Sequence, residues 1–268
     1  MQLPVTSSVE PRWPSGAQQC YRDVLKAFNS EHIPYAVGGA FAMHKHTSIW
    51  RETKDLDLML VADIVPRALE AARRAGFEAY IEDPVWLAKV RRGDYFVDLI
   101  TGVGNAALIV DQSWIDRAVP DKILDFPCRI LGAEELLAAK VFVARRERFD
   151  GSDVAHLIRY LGRQLDWDRL LALLSGHWSV LFWSLAFFAY VYPSRTDLVP
   201  ERIWNELTRH FEQSVKHPRK GAPFRGSLID PNMFAIDVDE RGERNLYQEN
   251  CEQHPHLLSQ AGSAGSEE

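Results

Sequence analysis

The sequence of 268 residues predicts a mixed α/β core followed by an all-helical part. Short apolar runs typical of strands alternate with helical spacing as far as residue 131, and only helical spacing continues from residue 132 to residue 215. Gly, Pro and Asp residues separate these segments, as expected of turns. We therefore predict a flexible arm (1–17), an α/β core (18–131), a helical domain (132–215), and a linker with an acidic, mostly mobile tail (216–268).

The first half of the core is predicted to run helix, strand, helix, strand, helix. "AQQCYRDVLKAFNSEHI" has apolar residues at helical spacing, and "PYAV" is a short strand that enters Gly38–Gly39. "AFAMHKH" is expected to leave the glycines as a helix, and "KDLDLMLV" to form a strand. "DIVPRALEAARRAGF" is a helix for which Asp63 is the expected N-cap and Gly76 the expected stop.

The second half of the core is predicted to consist mainly of strands. "FEAYI", "VWLAKVRR" and "YFVDLITG" have strand composition, and Gly93–Asp94 suits a hairpin turn between the last two. "KILDFPCRIL" is expected to be another hairpin, which turns at Asp125–Pro127.

The helical domain is predicted to begin with "GAEELLAAKVFVARRERF" as one helix, followed by four more. Its most apolar segment, Trp178–Tyr192, has 15 residues and ends before Pro193, whereas a membrane span needs about 20. We expect a buried helix there and no membrane partner, with an interfacial segment as the alternative. Beyond residue 216 the pattern fades, although "MFAIDVDE" has the composition of a short docked strand.

The charge of the chain is concentrated at its end. Eight acidic residues and two arginines in residues 231–268 account for the whole net charge of −6, so residues 1–230 are formally neutral. A neutral body is compatible with a phosphate-bearing substrate, but it lacks the basic excess of a dedicated nucleic-acid binder. The sequence therefore gives no strong evidence for DNA binding.

The cysteine pattern indicates neither a zinc site nor a disulfide framework. Cys20, Cys128 and Cys251 are far apart and form no C-x-x-C pair.

The start of the sequence lacks the pattern of a signal peptide, which is a basic segment followed by an apolar one. We expect a cytoplasmic protein.

Two aspartates interrupt the apolar strand "DLDLML". Side chains alternate along a strand, so Asp55 and Asp57 are expected on one face, with Leu56 and Leu58 on the other. Two carboxylates on one face suit a hard divalent cation, which prefers oxygen ligands. The alternative is a half-exposed edge strand with an acidic outer face.

A third aspartate lies in the run "YFVDLIT", which has the composition of a strand buried on both faces. A buried carboxylate must be paired, protonated or bound to a metal, so Asp98 is expected to have such a partner. The alternative to a metal is a salt bridge to Arg91 or Arg92. Three carboxylates from two neighbouring strands would suit two magnesium ions about 3.5–4 Å apart.

The glycines before the first of these strands predict a place where backbone approaches an anion. Gly38–Gly39 lies between a predicted strand and a predicted helix N-terminus, where backbone N–H groups and the helix dipole favour phosphate. The alternative is an ordinary strand-to-helix turn.

These motifs together resemble the nucleotidyltransferase superfamily. The matching residues are Gly38, Gly39, Arg51, Thr53, Asp55, Asp57 and Asp98, where positions 51–57 follow the pattern R-x-T-x-D-h-D. The resemblance is nearest to the bacterial abortive-infection and toxin-like group, and more distant to the small antibiotic nucleotidyltransferases and tRNA nucleotidyltransferases. It covers about residues 35–100 and implies a polymerase-beta-like core with a short mixed sheet, followed by a helical domain.

The resemblance implies transfer of a nucleoside monophosphate from an NTP, with release of pyrophosphate and with Mg²⁺ (or Mn²⁺) as cofactor. Asp55 and Asp57 would bind both metals, and Asp98 would bind the metal that activates the acceptor and could also serve as general base. Gly38 and Gly39 would hold the β- and γ-phosphates.

Arg51 and Thr53 match the family motif and would contact or position the triphosphate. For Arg51 the alternative is a surface ion pair.

Lys140 is predicted to face inward. Leu136, Leu137, Val143 and Ala144 lie three or four residues to either side of it, as on one stripe of a helix. An inward lysine would hold the triphosphate as a point charge. The alternative is snorkelling to the surface.

Asp150 and Asp153 resemble the D-x-x-D pair of the toxin-like enzymes, although Phe149 separates Arg148 from the pair. Asp153 is expected to orient Lys140 or to act as a base toward the acceptor. Helix N-capping is the alternative for Asp150.

The sequence leaves the acceptor open between a small molecule, a tRNA end and a protein. It also leaves two other functions open. One is a lapsed nucleotidyltransferase fold that acts as a nucleotide-binding regulator, and the other is an interaction protein whose "DLDL" is only an acidic face.

Overall fold

The computed structural model describes residues 5–7 and 15–253. The chain divides into two compact units, Met1–Gly132 with Glu249–Glu268, and Ala133–Gln248. The strands are β1 Val5–Ser7, β2 Ala36–Val37, β3 Ile49–Arg51, β4 Asp55–Met59, β5 Glu78–Asp83, β6 Leu87–Arg92, β7 Tyr95–Ile100, β8 Gly102–Val103, β9 Leu108–Ile109, β10 Val119–Ile123 and β11 Phe126–Ile130. The helices are α1 Ser15–Ser30, α2 Gly39–Thr47, α3 Val65–Arg74, α4 Gln112–Asp116, α5 Ala133–Lys140, α6 Gly151–Leu161, α7 Trp167–Leu173, α8 Trp178–Val191, α9 Glu201–Lys216, α10 Gly226–Ile229, α11 Ala235–Asp239 and α12 Leu246–Gln253.

A seven-stranded mixed sheet forms the centre of the first unit, in the order β10-β11-β2-β4-β7-β6-β5. Strand β4 runs antiparallel to β2 and parallel to β7, and β7 runs antiparallel to β6. The predicted mixed α/β class is confirmed, and the strand with two aspartates is central and not at an edge.

The central strands are held by one fully apolar face. Leu56 and Leu58 of β4 and Val97 and Leu99 of β7 are each 0% exposed. Burial of such a side chain stabilises the fold by about 1.5–3 kcal/mol. Because the residues alternate, the opposite face carries the aspartates.

Two turns differ in how well the sequence predicted them. The β6–β7 hairpin turns at Gly93 as predicted, with φ +61°. The β10–β11 hairpin turns at Leu124–Asp125 and not at Asp125–Pro127, because both turn residues have positive φ, as a two-residue turn of this kind requires. Pro127 lies within β11, where β2 pairs only with the far end at Ile130.

The start of α3 also differs from the prediction. Asp63 lies inside a short 3₁₀ turn, Ala62–Ile64, so it is not the N-cap of the helix. The end is as predicted, since Gly76 has φ +81° and terminates the segment.

The second unit contains the predicted helices, but the first is shorter than expected. Helix α5 ends at Lys140, and a turn closed by the Ala144–Phe149 bridge replaces its predicted second half. Residues 143 and 144 therefore do not share a helical stripe with Lys140.

Helix α8 is buried on one face only. Leu181, Leu185 and Phe188 are 0% exposed, whereas Trp183 is 44% and Tyr190 84% exposed. Within the described residues no single helix has the length and apolarity to cross a membrane; the pair Trp167–Leu173 and Ser175–Val191, bent by 74°, meets that test only when joined.

The predicted linker and tail contains short helices in its described part. "MFAIDVDE" forms α11 and not a strand, so that expectation is wrong. In α12 the side-chain amide of Asn250 donates a 2.9 Å hydrogen bond to the carbonyl oxygen of Asn105. Residues 254–268 lie outside the described residues, and the mobility of the tail stays a prediction.

Candidate metal and nucleotide site

Three carboxylates meet on the polar face of the sheet. The parallel register places Asp57 opposite Asp98, and Asp55 lies two residues before Asp57 on the same face. One carboxylate oxygen from each of Asp55, Asp57 and Asp98 lies within 4.8 Å of the others. All three residues are half-buried, as ligands that must reach both protein and substrate would be.

A neighbouring hydroxyl orients the first carboxylate. The Thr53 hydroxyl donates a hydrogen bond to Oδ1 of Asp55. The threonine therefore fixes the side chain of Asp55 from the segment just before β4. Its predicted contact with the triphosphate stays a proposal, as does that of Arg51, which ends β3 and is half-buried.

The two glycines contact Asp57 closely. The N–H of Gly38 donates a 2.9 Å hydrogen bond to the carbonyl oxygen of Asp57. Gly39, with φ +54°, approaches so closely that an added Cβ would lie 1.6 Å from Oδ2 of Asp57. Glycine is thus required at position 39 by both its backbone conformation and its nearest neighbour. The predicted phosphate cradle at this turn stays a proposal.

The partner of Asp98 is a lysine that the sequence analysis missed. Nζ of Lys89 lies 2.9 Å from Oδ1 of Asp98, and the two side chains are only 17% and 13% exposed. Burial raises the pKa of Asp98 above its ordinary value, and the Lys89 ammonium opposes this rise without cancelling it. The alternative considered for Asp98, a salt bridge to Arg91 or Arg92, is therefore wrong.

The two arginines have other contacts. Nε of Arg91 donates to the carbonyl oxygen of Gly93, and Arg92 donates to Asp23 and to the carbonyl oxygen of Ala75. The signal for Lys89 was present in the sequence. A hairpin that turns at Gly93–Asp94 places position 89 opposite position 98.

The donor set fits a hard divalent cation. Carboxylate oxygens are the preferred ligands of Mg²⁺ and Ca²⁺, and oxygens on opposite sides of one such ion are about 4–5 Å apart. The three aspartates satisfy both conditions, and the half-exposed sheet face leaves space for further oxygen ligands. The residues therefore fit a divalent cation of the kind that the resemblance implies.

Lys140 and Asp153 lie in the second unit, in a buried ionic cluster. Nζ of Lys140 lies 2.8 Å from Oδ2 of Asp150 and 2.5 Å from Oδ2 of Asp153. The side chains are 6%, 3% and 3% exposed, so the snorkelling alternative for Lys140 is wrong. Nε of Arg148 contacts Oδ1 of Asp150 at 3.0 Å. Asp150 is directed to these cations and does not cap α6 with its side chain.

This cluster should make folding stability depend on pH. Burial alone would raise the pKa of Asp150, but Lys140 and Arg148 outweigh it and hold that pKa well below its usual range. The stabilisation is therefore complete above the unfolded pKa of about 4 and is lost as pH falls below it toward the folded pKa. We expect Asp150→Asn to be clearly less stable than the wild type at pH 6, with a gap that narrows as pH falls to 3. Urea unfolding across this range measures the gap; a constant gap would contradict the assigned cause.

Comparison with known proteins gives matches at the level of structure. No protein-family model and no curated protein matches the chain. The antibiotic-resistance factor ANT(2'')-Ia matches at 14% identity and a TM-score of 0.45, over 62% of this chain and 94% of its own. The lincosamide antibiotic adenylyltransferase LnuA matches at 13% identity and a TM-score of 0.38, over 52% of this chain and 94% of LnuA. An antigenic nucleotidyltransferase-like protein from Paracoccidioides brasiliensis matches at 18% identity and a TM-score of 0.36, over 61% of this chain and 89% of that protein.

By name, LnuA is an adenylyltransferase and the Paracoccidioides brasiliensis protein is nucleotidyltransferase-like. With identities of 13–18% and TM-scores of 0.36–0.45, these likenesses assign neither a substrate nor an acceptor.

Proposed function

We propose that the protein is a metal-dependent nucleotidyltransferase, which transfers a nucleoside monophosphate from an NTP to an acceptor and releases pyrophosphate. The observation that carries this proposal is that Asp55, Asp57 and Asp98 meet on one sheet face. One carboxylate oxygen of each lies within 4.8 Å of the other two. A bound divalent cation would neutralise phosphate charge and act as a Lewis acid at phosphorus.

The carboxylates have distinct roles in this proposal. Asp55 and Asp57 hold the cation that accompanies the NTP, and the Thr53 hydroxyl keeps Asp55 in position. Asp98 serves the acceptor side, where it also receives the proton of the acceptor hydroxyl. The acceptor oxygen forms a bond to the α-phosphorus, and the bond from that phosphorus to the pyrophosphate oxygen breaks. Pyrophosphate then leaves.

The turn at Gly38–Gly39 supplies the anion-binding part of the site. Helix α2 begins at Gly39 and has nine residues, so its first-turn N–H groups and its dipole favour the β- and γ-phosphates. The close packing of Gly39 on Asp57 joins this helix end to the carboxylates. Lys140 and Arg51 are further proposed contacts of the triphosphate, and Asp153 is proposed to orient Lys140.

Label transfer tests the proposed reaction. Four α-labelled NTPs are incubated with Mg²⁺, the protein and separate pools of small molecules, tRNA and proteins. We expect label on one pool together with pyrophosphate, and a loss of at least about 10³-fold in Asp57→Asn because a metal ligand contributes several kcal/mol. Nucleotide binding without transfer in any pool would favour the lapsed regulator. Equal activity of the variant would contradict the site.

A further inference from the structure

Lys89 is held in a fixed position beside the carboxylates. It pairs with Asp98 across the β6–β7 hairpin, and its ammonium lies 4.5 Å from the centre of the Phe96 ring. Only 17% of the Lys89 side chain is exposed, and its Nζ–Oδ1 distance to Asp98 is 2.9 Å. A lysine confined by a carboxylate, a ring and a strand is a fixed part of the site and not a surface side chain that happens to reach it.

Lys89 and the spacing of the carboxylate oxygens suit one divalent ion. Lys89 already places a positive charge 2.9 Å from Oδ1 of Asp98, the carboxylate of the acceptor side. The 4.8 Å spread of the three carboxylate oxygens is the span of ligands around one ion. A second dication near Asp98 would lie beside the Lys89 ammonium and be repelled by it.

We propose that Lys89 takes the place of the second divalent ion on the acceptor side, so that the site with nucleotide holds a single divalent ion. This inference rests on the proposed nucleotidyl transfer. One carboxylate oxygen of Asp98 accepts a hydrogen bond from the Lys89 ammonium, and the other oxygen is directed to the ion or the acceptor. Lys89 is a positioning residue that holds Asp98 toward the acceptor.

The number of bound ions tests this role without an activity measurement. Wild-type protein and Lys89→Met are dialysed against Mn²⁺ and a non-hydrolysable ATP analogue, and the retained Mn²⁺ and analogue are counted. We expect one Mn²⁺ per retained analogue in the wild type and two in Lys89→Met. Electron paramagnetic resonance should show an isolated ion in the wild type and a coupled pair, with ions about 3.5–4 Å apart, in Lys89→Met.

Lys89→Arg is the matched control, because it keeps the charge and should retain one ion. Lys89→Gln is a second neutral variant, and circular dichroism establishes that each variant is folded. Two ions in the wild type, or one ion in both folded neutral variants, would overturn the role of Lys89 and leave the proposed reaction intact. If the wild type retains no Mn²⁺ with the analogue, the proposed function itself fails.

Discussion

Gly39→Ala is expected to reduce nucleotidyl transfer by at least about 100-fold, the scale of a misplacement of about 1 Å in a reacting group. The new Cβ would lie 1.6 Å from Oδ2 of Asp57, so the carboxylate must rotate away from Asp55 and Asp98 or the turn must shift. Either movement separates the metal ligands. Metal-dependent nucleotide binding should fall together with transfer, because the same carboxylate serves both.

Gly93→Ala is the matched control for this prediction. Gly93 has φ +61°, close to the +54° of Gly39, and in the described part of the chain an added Cβ there meets no atom within 4 Å. Both substitutions therefore carry a similar backbone cost of about 1–2 kcal/mol, but only one reaches Asp57. Equal transfer rates in the two variants would show that the approach of Gly39 to Asp57 has no functional role.

Lys140→Met should lower the free energy of unfolding by about 3–5 kcal/mol, because removal of one partner leaves buried charge uncompensated. Asp150 and Asp153 would then lie close together at 3% exposure, without the ammonium that contacts both of them. Adding Asp153→Asn should restore part of the loss, since it removes one of the two carboxylates. Urea unfolding measures all three proteins.

An exposed ion pair is the control for that prediction. Arg202 contacts Asp168 at 2.6 Å, but the side chains are 53% and 75% exposed, so Arg202→Met should cost less than about 1 kcal/mol. Similar losses in the two variants would contradict a special role for burial.

Nucleotide binding by folded Lys140→Met tests the separate proposal that Lys140 contacts the triphosphate. Unchanged affinity would remove Lys140 from the triphosphate contacts.

The sequence predicted how the aspartates of the candidate site are placed, because local rules determine this placement. Strand alternation places Asp55 and Asp57 on one face and Leu56 and Leu58 in the core. The hairpin at Gly93 needed only a turn residue that adopts positive φ. The hypothesis that the three carboxylates lie on two neighbouring strands is confirmed by the pairing of β4 with β7, but the expectation that the strand of Asp98 is buried on both faces is wrong, since Asp98 is half-buried.

Other features depended on packing or on elements too short to produce a pattern. Helix α5 ends at Lys140 because the chain turns back to bring Asp150 to that lysine, a contact between residues ten positions apart. Helices α10 and α11 have four and five residues, too few for helical periodicity to appear in the sequence. Lys89 was predictable from the hairpin register, but only the arginines closer to the turn were considered as ionic partners of Asp98.

Thermal unfolding with and without Mg²⁺ and NTP tests the central claim most directly. A ligand at 100 times its Kd stabilises the native state by about 2.7 kcal/mol. We expect wild-type protein to gain stability with Mg²⁺ and NTP together, and the folded Asp55→Asn, Asp57→Asn double variant to lose the metal-dependent part of that gain. A double variant that responds to Mg²⁺ and NTP as strongly as the wild type would contradict the assignment of these carboxylates as the metal and nucleotide site.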